Sequence, residues 1–218
     1  MALALVSALS AIAVASASAA LPEFTGTFPN AFEMSGGAAT FENVPLTLRV
    51  TCQSYNIRGE ITSSTAATVS VGSFKECSSA AAGTCTSTGA VAGEIKTTAL
   101  PIAPVYIVKA TKEVGLVFNY EGTGFPPPVP LTFATFTCGG VQNIKIQRAV
   151  VGKITPINTK TKTFTVTLAQ HNGRQIPEGF EGTPTAILYS NINGGEFKQT
   201  GLQATATFRT AKETELKA

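Results

Sequence analysis

The chain has 218 residues and a net charge of +3 from 16 basic and 13 acidic side chains, with four cysteines, one histidine and no tryptophan. A charge this small dictates no nucleic-acid partner. Every acidic residue is glutamate, which removes the Asp-containing loops that usually hold calcium, and the phosphate cradles GxxxxGK[ST] and GxGxxG do not occur.

The chain opens MALALVSALSAIAVASASAA. The apolar run over residues 2–15 falls short of the about 20 apolar residues that span a bilayer. Small residues follow it at the positions a signal peptidase reads, for cleavage after Ala19 or Ala20. The sequence therefore predicts a signal peptide over 1–20 and a single all-β domain over 21–218, with no transmembrane segment in the mature chain. One departure from the export pattern is that no Lys or Arg precedes the apolar run.

Beyond residue 20 the recurring signal is alternation with period two. In PLTLRVTC, Leu46, Leu48, Val50 and Cys52 share one face. In EVGLVFNY the shared face carries Val114, Leu116, Phe118 and Tyr120. The stretch GTGFPPPVP at 122–130 breaks the pattern and reads as an extended loop of polyproline character. In LTFATFTC, Leu131 and Phe133 have odd parity while Phe136 and Cys138 have even parity, so a β-bulge is expected at Ala134 or Thr135. TKTFTVTL sets Phe164, Val166 and Leu168 against threonines, and LQATATFR sets Leu202, Ala204, Ala206 and Phe208 against Gln203, Thr205, Thr207 and Arg209. Alternation sends one set to a core and the other to water. Asn-Gly in HNGR (171–174) and NGG (193–195) is a strong hairpin signal; the second joins AILYSN to EFKQTG. No segment has a sustained helical period. The expected fold is an all-β antiparallel sandwich or barrel stabilised by two disulfides.

Cysteine spacing in an exported chain reads as two disulfides, with three connectivities open. The small, flexible loop between Cys77 and Cys85 favours that pair, leaving Cys52 with Cys138 at the ends of two strand-like runs. Chain-entropy arithmetic assigns the two loops about 2.5 and about 4.5 kcal/mol. No CxxC is present to support a zinc or redox site. His171 sits beside an Asn-Gly turn and no GxSxG supplies a nucleophile, so no catalytic triad is expected. Paired carboxylates for a glycosidase would come from Glu60, Glu94, Glu178 and Glu181; Glu60 and Glu94 each follow a glycine and read as solvent-facing residues at a bulge or strand start. No metal or cofactor is expected. From Lys145 to Arg174 there are six basic residues, Lys145, Arg148, Lys153, Lys160, Lys162 and Arg174, with no acidic one between them. They are the candidate patch for an anionic cell-wall polymer, set against an ordinary solvated face or edge-protecting lysines.

The order VTCQ, GEITSS, ECSSAAAGTCTSTGAVAGEIKTTAL, VGLVFN, FTCGG, GKITPINTKTKTFTVTL and NGGEF…TGLQATATF resembles a group of exported actinobacterial proteins. They carry similar CTS…GEI, FxCG and NGG-F segments. The resemblance implies export and a common architecture and brings no catalytic residue with it. The expected role is structural or binding, at the cell surface or secreted. The alternatives are a secreted glycoside hydrolase using paired Glu and a small-molecule carrier with a β-barrel cavity.

Overall fold

The computed structural model describes residues 21–119, 131–183 and 185–218. The expected signal peptide, Tyr120 and the proline-rich loop lie outside the described residues. In chain order the first nine strands are β1 (Glu23–Gly26), β2 (Asn30–Gly36), β3 (Ala39–Asn43), β4 (Leu48–Cys52), β5 (Ser54–Ile61), β6 (Ala67–Lys75), β7 (Ser78–Ser79), β8 (Gly83–Thr86) and β9 (Ile95–Lys96). The others are β10 (Leu100–Val108), β11 (Glu113–Phe118), β12 (Thr132–Cys138), β13 (Gln142–Gln147), β14 (Val150–Thr155), β15 (Thr161–His171), β16 (Arg174–Ile176), β17 (Leu188–Ile192) and β18 (Lys198–Lys217). No helix occurs among the described residues, and none is long and apolar enough to cross a membrane.

All pairings are antiparallel, and they close a barrel of eight strands, in the order β2, β5, β6, β10, β11, β14, β15, β18 and back to β2. A second ring of eight follows the order β18, β3, β4, β7, β8, β12, β13, β17 and back to β18. The rings share β18, a strand of 20 residues. Strands run on from one ring into the other: β2 continues as β3, and β4 continues as β5, so that 30–43 and 48–61 form one long bent hairpin.

The alternation seen in sequence decides which side chains fill these rings. Leu48, Val50 and Cys52, then Phe164, Val166 and Leu168, then Leu202, Ala204, Ala206 and Phe208 are all buried in one continuous core. Aromatic rings fill its length. Phe208 stacks on Phe32 at 4.7 Å and meets Phe164 edge-on at 6.0 Å. Further along, Phe74 lies 5.5 Å from Tyr55 and 5.2 Å from Phe41. Tyr55 can lie over β2 because its cross-strand partner is Gly36; a Cβ there would come within 2.3 Å of the Tyr55 hydroxyl oxygen.

Both Asn-Gly hairpins form. His171 faces Arg174 across Asn172 and Gly173, whose φ angles of 51° and 74° are those of a type I′ turn. Ser190 faces Lys198 across the Asn193-Gly194 turn. The bulge in β12 exists but sits one residue earlier than the parity argument placed it. The register slips between Thr132 and Ala134, leaving Phe133 as the extra residue, and Phe133 and Ala134 are both buried. The outward side chain of β11 also departs from the simple pattern. Val117 is buried with Val105, Ala149, Val151 and Ala186 in a second apolar cluster on the outside of the barrel.

All four cysteines are bonded, but the partners differ from the expected ones: Cys52 joins Cys77 and Cys85 joins Cys138. The register explains why. Cys52, Cys77, Cys85 and Cys138 lie side by side on neighbouring strands, so Cys52 and Cys138 are separated by three strand spacings, about 14 Å. That is beyond the roughly 7 Å across which a disulfide can form. The bonded pairs close loops with sequence separations of 25 and 53, corresponding to about 3.5 and about 4 kcal/mol on the chain-entropy estimate.

Gln175 holds the junction of the two rings. β18 leaves β15 after Ala204 and meets β17 at Thr200, so Leu202 lacks a strand neighbour on that side. The buried Gln175 side chain takes that place: its Nε2 donates to the carbonyls of Leu202 at 3.2 Å and Ala169 at 2.7 Å, and its Oε1 accepts from Leu202 N–H at 2.8 Å. Gln175→Leu is expected to lower unfolding free energy in urea by about 2–3 kcal/mol, because it leaves buried main-chain groups unpaired. The exposed control Gln203→Ala should change it by less than about 0.5 kcal/mol. Equal losses in the two variants would contradict this role.

Candidate functional site

Among the described residues, a groove of about 650 Å³ lies on the outside of the barrel. It exists because both faces of β10, β11 and β14 carry apolar residues. The segment after β16 crosses their outer face and buries the second cluster, with Phe180 packed against it. Main-chain bonds pin the segment: Glu181 N–H donates to the Tyr106 carbonyl at 2.9 Å, and Phe180 and Thr183 exchange hydrogen bonds at 2.9 and 2.8 Å. The Glu181 carboxylate accepts the Lys109 N–H at 3.1 Å. Thr65, Phe180, Thr183 and the oppositely charged Lys109 and Glu181 line the groove, with the main chain at Tyr106, whose side chain is buried in the barrel core. Of these, sequence reading singled out Glu181 alone as a candidate. The signal for the rest was apolar residues on both faces at Val105, Val117 and Val151, which requires a cover on the outside.

The barrel interior offers far less space. Its void, between Met34, Tyr55, Phe74, Phe118, Phe133 and their neighbours, measures about 20 Å³, room for about one water. The Tyr55 hydroxyl reaches this region without a hydrogen-bond partner, and burial pushes its pKa up to about 12.

The six basic residues do not come together. Lys160 and Lys162 flank the start of β15 and Arg174 lies beyond its end, with a strand of 11 residues between them, about 30 Å at the usual rise. Three have carboxylate partners: Lys153 with Glu113 at 2.8 Å, Lys160 with Glu213 at 3.7 Å and Arg174 with Glu178 at 2.8 Å. Arg148 places its guanidinium 4.7 Å from the centre of the Tyr189 ring, and Lys145 lies on β13 between β12 and β17.

The glutamates engage separate partners. Glu60 is exposed on β5 beside the register slip at Arg58–Gly59, as its Gly-Glu context indicated. Glu94 accepts a hydrogen bond from Ser73 Oγ at 2.5 Å and lies 3.7 Å from Lys96 Nζ. The Ser73 bond foremost, with the Lys96 charge in support, holds its carboxyl below the usual 4.5. Hydrogen bonds from Arg174 and then Gln199 do the same for Glu178. Carboxylates held low in this way stay ionised and are poor proton donors. His171 is exposed at its turn, its Nε2 3.1 Å from the Asn172 amide. Among the described residues no three His, Cys or Glu side chains converge as a metal site.

No family model, curated protein or solved structure matches the chain.

A carboxyl whose folded pKa is depressed adds stability above its unfolded pKa and loses it as pH falls through the folded value. Glu94→Gln should therefore flatten the acid limb of the stability–pH profile, below the usual 4.5, read from urea midpoints, while leaving its shape near neutrality unchanged. An unaltered acid limb would show that the Ser73–Glu94 bond does not matter for folding.

Proposed function

We propose that the chain is an exported, non-catalytic binding protein whose ligand, an anionic cell-wall polymer, seats in the groove over β10. The groove carries the reading. Its volume of about 650 Å³ falls in the range of ligand sites, roughly 300–1,000 Å³. Phe180 supplies an apolar surface for a sugar ring, Thr65 and Thr183 line the groove beside it, and Lys109 supplies the charge that meets an acidic group. Export is supported by the N-terminal apolar run and by two disulfides, which persist in oxidising compartments. The filled interior speaks against a carrier. The carboxyls of Glu94 and Glu178, held ionised by their hydrogen bonds, speak against a glycosidase, which needs a carboxylic acid to protonate its leaving group.

Co-sedimentation with purified anionic wall polymer tests the proposal. Wild-type protein should bind at low salt, and binding should fall steeply at moderate salt. Lys109→Glu should weaken it at least about tenfold, the equivalent of about 1.4 kcal/mol, while Lys162→Glu, outside the groove, should not. Absence of binding at low salt, or equal binding by Lys109→Glu, would refute the site.

A further inference from the structure

Four cysteines stand abreast, three on β4, β8 and β12 and Cys77 immediately before β7. Cys52 is opposite Cys77, because Val50 faces Ser79 and Thr51 faces Ser78. Cys77 is opposite Cys85, because Ser78 faces Thr84, and the Cys85 N–H donates to the Cys77 carbonyl at 2.9 Å. Cys85 in turn faces Cys138. Residues in direct register project to the same face of a sheet, and all four are buried in one core. The bonds present use the two outer contacts of this row. The single main-chain bond from Cys85 N–H joins the middle pair, since the Cys77 N–H donates instead to the Gly93 carbonyl at 2.8 Å; neighbouring strands stand about 4.7–4.9 Å apart. That spacing lies within the range across which a disulfide forms.

We propose that the row is a disulfide-exchange relay: reduction of either outer bond by an external dithiol transfers the surviving bond to Cys77–Cys85. When the dithiol attacks Cys138 Sγ, Cys85 leaves as a thiolate. The second thiol of the reagent then releases Cys138 and the reagent departs as a cyclic disulfide, having supplied two electrons. The Cys85 thiolate attacks Cys77 Sγ, the Cys52–Cys77 bond breaks, and Cys52 leaves as a thiolate that takes up a proton. Entry at Cys52 runs the mirror sequence, with Cys77 attacking Cys85 and expelling Cys138. Both routes converge on one product with Cys77–Cys85 bonded and Cys52 and Cys138 as thiols.

The exchange has a mechanical consequence. The outer bonds tie the β7–β8 hairpin to β4 on one side and to β12 on the other. The middle bond lies within the hairpin and ties it to neither. The hairpin is then held by ladders of only two residue pairs to β4 and two to β12. The second ring therefore loosens on both flanks of the hairpin after a two-electron reduction. The eight-strand barrel has no cysteine in any of its strands and stays closed.

The test titrates the oxidised full chain with dithiothreitol, quenches in acid, alkylates, and maps the species carrying two alkylated cysteines. Cys52 and Cys138 are expected to carry the label in most of that species, with Cys77 and Cys85 linked. A one-disulfide species dominated by Cys52–Cys77 or Cys85–Cys138 would overturn the relay. A second arm needs no reductant. Cys138→Ser should yield Cys77–Cys85 with Cys52 as the free thiol; retention of Cys52–Cys77 with Cys85 free would overturn it. Amide exchange on the two-electron-reduced wild type should speed in β4 and β12 and remain slow in β15; equal acceleration in all three would contradict the confined opening.

Discussion

An open sheet edge leaves a row of main-chain N–H and C=O groups without partners, and a chain built almost wholly of strands has many edges to close. Here the closure depends on β18. Its middle pairs with β15 and β2 to seal the barrel, its first part pairs with β17 and β3 to seal the second ring, and its last residues take β1. One strand therefore carries the boundary of both rings. The point where it changes neighbours is the weakest part of the arrangement, and Gln175 repairs it by standing in for a strand. The buried trio Asn43, Ser190 and Thr200 does the same work where β3, β17 and β18 meet, with the Asn43 amide donating at 2.8 Å to Ser190 and 3.1 Å to Thr200.

Closing both rings around aromatic side chains fixes where chemistry is possible. With Phe32, Phe41, Phe74, Phe164 and Phe208 filling the inside, recognition has to occur on the outer surface. The groove over β10 arises from an apolar excess on the barrel's outer face and the segment that covers it. The second ring is smaller in its strands and carries both staples, whereas the barrel depends on packing alone. The two rings thus respond to different stresses, one to reduction and the other to loss of apolar burial.

Much of this was legible in the sequence because alternation is a direct image of burial. The inward sets of β15 and β18 read off as written, that of β4 held from Leu48 to Cys52 while Leu46 sits half-buried in the preceding turn, and both Asn-Gly turns formed where the dipeptides stand. Disulfide partners were not legible, because loop length speaks to the ease of closure and not to register. Cys77 and Cys85 are neighbours as their short loop implies, yet each bonds to the strand on its other side. The bulge in β12 was legible in existence and misplaced by one residue, since parity shows that a residue is extra but not which one leaves the ladder. The groove was hidden. Its walls come from Thr65, Tyr106 and Phe180, far apart in sequence, and only the two-faced apolar pattern of β11 pointed to an outer cover. The basic cluster was continuous in sequence and dispersed in space, because one long strand carries its members to opposite ends.

Hydrogen exchange along β18 tests the central role of this strand most directly. If β18 closes both rings, the amides of Leu202, Ala204, Ala206 and Phe208 open only with global unfolding. Their opening free energies then equal that of the whole protein and fall with denaturant at the same slope. Exchange of these amides through a low-energy, denaturant-independent opening, with β5, β6 and β11 still protected, would contradict the account.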